Sequence, residues 1–65
     1  MLYEVQVVTP KYEYSRNTTD RKEIVKMFKN EVNYNTDNPH KPVYIDLILW
    51  FNENDVRTVK TVTIQ

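Results

Sequence analysis

The sequence predicts an α+β fold in which one helix packs on one face of a three- or four-stranded antiparallel sheet, in the order β-(β)-α-β-β with a C-terminal β-hairpin. Three observations carry this prediction. TTDRKEIVKMFKNEVN, residues 18–33, repeats its apolar residues at helical spacing. VYIDLILWF and VRTVKTVTIQ, rich in β-branched and aromatic residues, flank the turn-forming NEND. The chain also opens on a third strand-like run, LYEVQVVT. With 65 residues there is material for one domain, residues 1–65, since a chain this short buries only about 60% of its unfolded surface.

In the first strand, residues 2–9, Tyr3, Val5 and Val7 share one side and Pro10 ends the run. KYEYSR, residues 11–16, alternates Tyr12 and Tyr14 with polar residues and reads either as a short second strand or as an extended arm. In the helix, Asp20 is placed to cap the free backbone N–H groups, and Glu23 three residues on makes a capping-box-like pair. Ile24, Phe28 and Val32 recur every four residues beside Val25 and Met27, which makes one apolar stripe with Lys22, Lys26, Lys29 and Glu31 towards its margins or water. NYNTDNPHKP then stops the helix, because its prolines remove backbone donors and its asparagines favour turns.

Counting back from Phe51 opposite Val56 sets a regular hairpin register. Leu49 then faces Thr58, Leu47 faces Lys60, Ile45 faces Val62 and Val43 faces Ile64, on the side expected under the helix. Lys60 is out of place there unless a bulge or an extended side chain accommodates it. The other side pairs Trp50 with Arg57, Ile48 with Val59, Asp46 with Thr61 and Tyr44 with Thr63. An odd-length connection would instead carry Val59 to the helix-facing side. A strand with water on one side should be polar there, yet this outer side mixes Trp, Ile, Tyr and Val with one carboxylate and one guanidinium. A KYEYSR arm folded across it would hide Trp50 and Ile48 within the molecule.

Composition narrows the chemistry. Without glycine, the phosphate-cradling loops of nucleotide enzymes cannot form, since their backbone positions strain any residue with a Cβ. The absence of cysteine excludes disulfides and thiolate metal sites and suits a reducing, cytoplasmic setting. Asp37 and His40 offer two metal ligands where three or four are needed, so no metal or cofactor is expected. Ser15, His40 and Asp46 have the residue types of a hydrolytic triad but no supporting spacing. No apolar run approaches the roughly 18 residues that span a bilayer, and no signal-peptide pattern opens the chain, so no membrane partner is expected. The lack of glycine and alanine, with plentiful Asn, Lys, Ile and Tyr, matches A+T-rich coding of the kind found in some bacteria, phages and mobile elements.

These readings converge on a non-enzymatic small binding protein. Trp50, Arg57, Ile48 and Tyr44 would carry an outer-face interface, with Tyr12 and Tyr14 at its rim, because such residues bury large area with few torsions and keep a polar end. The partner would be a second copy, giving a dimer that adds stability to a thin core, or one host protein. The alternative is single-stranded nucleic acid stacked on the same aromatics, although nine Lys and Arg against nine Asp and Glu leave no net field to draw phosphates.

Overall fold

The computed structural model describes residues 1–65. The elements are β1 (Leu2–Val8), β2 (Glu13–Thr18), α1 (Arg21–Asn35), β3 (Val43–Asn52) and β4 (Asp55–Ile64). The strands form one antiparallel sheet in the order β2-β1-β3-β4, with α1 packed over β1, β3 and β2. This is the α+β arrangement the sequence predicts, and its open choice is settled as four strands. KYEYSR contributes a true edge strand, because Glu13 to Thr18 pair with Val8 to Tyr3. It lies beside β1, so it does not fold across the outer face.

Strand alternation delivers the core. Val5 and Val7 of β1 and Val43 and Ile45 of β3 point to the same side, where they meet Ile24, Met27 and Phe28 of α1, all seven buried. Tyr3, Tyr14, Val32, Leu47, Val62 and Ile64 pack around this cluster. The helix begins where expected: Asp20 Oδ1 accepts from the backbone N–H of Lys22 at 2.8 Å and of Glu23 at 3.2 Å. The reciprocal bond is made by Thr18 and not by Glu23, since Thr18 Oγ1 accepts from the Asp20 N–H at 3.1 Å. Glu31, expected at the margin of the stripe or in water, lies at the margin and is buried. It is 9% exposed, because Tyr14 and Asn35 supply it with buried donors.

The hairpin register is regular at both ends and slipped by one residue between them. Val43 to Leu47 pair with Ile64 to Lys60 as counted from the sequence, and Asn52 pairs with Asp55 around a two-residue turn. In between, Ile48 faces Thr58, Leu49 faces Arg57 and Trp50 faces Val56, so one irregularity at Phe51 in β3 is compensated by a second at Val59 in β4. The slip reverses residues 56–58. Val56 and Thr58 face outward, while Arg57 moves to the helix side, where its guanidinium lies 5.1 Å from the Phe51 ring centre and 3.3 Å from Asp55. The expected Trp50–Arg57 and Ile48–Val59 pairs therefore do not form. The slip instead sets apolar Val56 against Trp50 and brings Val59 beside Leu47 and Leu49.

Candidate functional site

The outer sheet face is built by the even-numbered residues of β1 and β3 and their partners. Leu2, Glu4, Gln6 and Val8 of β1 lie opposite Trp50, Ile48, Asp46 and Tyr44 of β3, and Val56, Thr58, Thr61 and Thr63 of β4 continue the surface. No element of the chain covers it. Leu2, Tyr44 and Val56 are exposed, and Trp50 and Ile48 are half-buried by their neighbours alone. The Trp50 indole N–H donates to Glu4 Oε1 at 2.9 Å, and the Thr61 hydroxyl donates to Asp46 Oδ1. Both carboxylates are thereby held in place on the sheet, each with an oxygen still free to accept from a partner.

Of the residues singled out from the sequence, Trp50, Ile48 and Tyr44 come together here. Arg57, Tyr12 and Tyr14 do not: the hairpin slip turns Arg57 to the helix side, alternation in β2 turns Tyr14 there, and Tyr12, just before β2, meets Asn38 and His40 at the helix end. Glu13, facing outward beside Val8, joins Glu4 and Asp46 instead. The β-strand cations Arg16, Arg57 and Lys60 pair with Val5, Leu49 and Leu47, so all three point to the helix side. The strands of the outer face thus present carboxylates and no Lys or Arg, with Lys41 beside Tyr44 at one end of the face. This charge pattern was missed from sequence because it needs the registers of β1 and β2 as well as the slip in the hairpin.

Tyr12 and Tyr14 belong to a polar cluster at the C-terminal end of α1. Tyr14 donates to Glu31 Oε2 at 2.6 Å, Asn35 Nδ2 donates to the Glu31 carbonyl at 2.8 Å, and Asn38 Nδ2 donates to Tyr12 Oη at 2.8 Å and Asn35 Oδ1 at 2.9 Å. Burial, with the Glu31 acceptor and its charge adding to it and the Asn35 N–H opposing, pushes the Tyr14 phenol up to about 12. Every buried side-chain polar atom finds a partner. The cluster therefore acts as a lock between β2, the helix end and the following loop.

Hydrolytic residues are not assembled. Ser15 and Asp46 lie on the outer face, separated by β1, while His40 sits edge-on to the Tyr12 ring, 6.0 Å between ring centres, at the end of the helix layer. No group of three or more His, Cys, Asp or Glu side chains is placed to hold a metal ion. No helix is long and apolar enough to cross a membrane.

A second surface lies on the helix side. Between α1 and β4 runs an open apolar groove whose two ends share Val25 and Leu47; it is floored by Phe28, Val32 and Val62 towards one end and by Ile24, Leu49 and Val59 towards the other. No family model, curated protein or solved structure matches this chain, so both surfaces are read from their geometry alone.

Proposed function

We propose that this protein is a non-enzymatic, cytoplasmic binding module that engages one protein partner through its outer sheet face. One observation carries the reading: an aromatic and aliphatic surface of Leu2, Tyr44, Ile48, Trp50 and Val56 lies on a sheet face that no other element covers. Four strands about 4.8 Å apart and six to ten residues long give this face a projected area on the order of 500 Å². A standard interface takes roughly 800 Å² from each partner, so this face would form the larger part of one. Trp50 lies at one end of the face, flanked by Val56 and Leu2, and supplies its largest apolar side chain.

Charge refines the partner. Glu4, Glu13 and Asp46 favour a surface that mixes apolar and basic groups. In a symmetric dimer through this face, the three carboxylates of one copy confront those of the other, which makes self-pairing the weaker version. Two observations weigh against single-stranded nucleic acid: the strands of the face carry carboxylates and no cation, with Lys41 alone at its end beside Tyr44, and Tyr12 and Tyr14 lie away from it. The A+T-rich composition favours a bacterium, phage or mobile element as the source of the partner.

The test is capture by the tagged protein from host lysate, comparing wild type with Trp50→Glu before and after nuclease. A specific protein that survives nuclease and is lost with Trp50→Glu, while circular dichroism shows that variant folded, supports the proposal. Capture of nucleic acid alone, or of the same protein by both forms, overturns it. Trp50 is the sole tryptophan, so its emission shifts to the blue when a partner buries it.

A further inference from the structure

The groove between α1 and β4 has the dimensions of a missing helix. A four-stranded sheet is roughly 19 Å wide and a helix about 10 Å across, so a single helix cannot cover all of it. It packs on β1, β3 and β2 and leaves β4, with Leu47 and Leu49 at the near end of β3, uncovered on this side. That open strip is largely apolar. Val25 is 46% and Val59 51% exposed, and Leu47, Val32 and Val62 are half-buried along its length. From Arg21 to Asn33 the lining side of α1 runs about 18 Å, the length of three helical turns.

The rim has one sign of charge. Every charged residue that lines the two ends is a cation, Arg21, Lys29 and Lys60, and no carboxylate joins them. None of the three is in an ion pair, since the salt bridge in the molecule joins Arg57 to Asp55. Lys60 stands over the Phe28 ring, 5.8 Å from its centre, which holds the ammonium at the groove and explains a lysine inside an otherwise apolar register. A neutral chain has concentrated its cations around an uncovered apolar trough.

We propose that this groove seats an acidic amphipathic helix of about three turns supplied by a partner protein. Apolar side chains at i, i+3, i+4 and i+7 would rest on Val25, Leu47, Val59 and Val62, and flanking carboxylates would meet Arg21, Lys29 and Lys60. The trough is too open to enclose a small amphiphile on most of its surface, whereas a helix needs only one face covered. A second copy's α1 is a poor occupant because it carries Arg21, Lys22, Lys26 and Lys29 and would set cations against cations. This surface is separate from the outer face and stands or falls independently of the reading above.

The experiment titrates the full chain, labelled for amide NMR, with a synthetic 14-residue helical peptide bearing leucine at i, i+3, i+4 and i+7 and glutamate at the flanking positions. Its counterpart has lysine for every glutamate, and laurate below its micelle concentration is a third probe. Shifts confined to groove residues, a gain in peptide helicity, and affinity at least tenfold above the lysine peptide support the proposal. Lys29→Glu with Lys60→Glu should lower that affinity at least tenfold, while Trp50→Glu, whose substitution lies on the other face, leaves it unchanged. Equal binding of the two peptides, shifts on the outer face, tighter binding of laurate, or concentration-dependent groove shifts without peptide would each overturn it.

Discussion

Asn35→Ala should remove a large part of the stability of this protein. Asn35 has no exposed surface, and its amide bridges the helix end to the loop that follows it. Its Oδ1 accepts from Asn38 Nδ2 at 2.9 Å, and its Nδ2 approaches Glu31 Oε2 at 3.3 Å and Tyr14 Oη at 3.4 Å. Truncation leaves one Asn38 N–H buried without an acceptor and takes a donor from the Glu31 carboxylate. An orphaned buried donor costs about 1–3 kcal/mol and a lost hydrogen bond about 1 kcal/mol, so the change should cost roughly 2–4 kcal/mol. A domain of this size has only about 3–10 kcal/mol in total at 0.05–0.15 kcal/mol per residue. At about 4–8 °C per kcal/mol, the thermal midpoint should fall by at least about 8 °C.

The assay is thermal unfolding followed by far-ultraviolet circular dichroism and by Trp50 emission, which report the helix and the sheet separately. Asn35→Asp keeps the volume and the acceptor for Asn38 but turns the donor into an oxygen against Glu31, so it should also destabilise. Tyr34→Ala, one residue away at a side chain 75% exposed, should move the midpoint little. A drop below about 4 °C for Asn35→Ala would refute the argument, because water would then be replacing the amide at small cost.

Two further outcomes are expected. Alkaline titration at 295 nm should show one of the five tyrosines ionising near pH 12, and Glu31→Gln should lower that pH by removing the charge and leaving a weaker, neutral acceptor. The Tyr14 phenol is raised from 10.0 in the unfolded chain, so its contribution to stability is complete below pH 10 and is lost as pH rises through about 12. Asp20→Ala should cost about 1 kcal/mol by freeing the Lys22 and Glu23 N–H groups, while Glu23→Ala should cost much less, as read by the thermal midpoints of the two variants. Equal losses would mean that Glu23 closes a capping box in solution.

The elements were legible wherever a local rule decided them. Asp20 before a four-residue apolar repeat is a helix start in any context, and Tyr3, Val5 and Val7 alternate because both neighbouring strands leave the same face to the helix. KYEYSR was ambiguous for a physical reason: six residues with two tyrosines gain strand character only when β1 supplies hydrogen-bond partners, which is a non-local event. The burial of Glu31 was not legible for a similar reason. Its helical position lies beside the apolar stripe, and only Tyr14 from β2 and Asn35 one turn on make burial of a carboxylate tolerable there. In the hairpin, the two-residue turn implied Phe51 opposite Val56, but apolar matching of Val56 to Trp50 and Val59 to Leu49 favoured two compensating irregularities over a straight ladder.

That slip decides the electrical character of both surfaces. In a straight ladder Arg57 would project outward beside Trp50, close to Glu4 across the sheet, and would set a cation against the carboxylates at that end of the outer face. Turned to the helix side, it leaves Glu4, Glu13 and Asp46 as the charges on the strands of one face and joins Arg16 and Lys60 on the other. Nine cations and nine carboxylates cancel in the sum while the two sides of the sheet carry opposite signs. Net charge therefore describes neither surface, and a partner suited to one is repelled by the other. The two proposed interfaces accordingly call for partners of opposite charge, and a one-residue irregularity in an edge strand is enough to set that distinction.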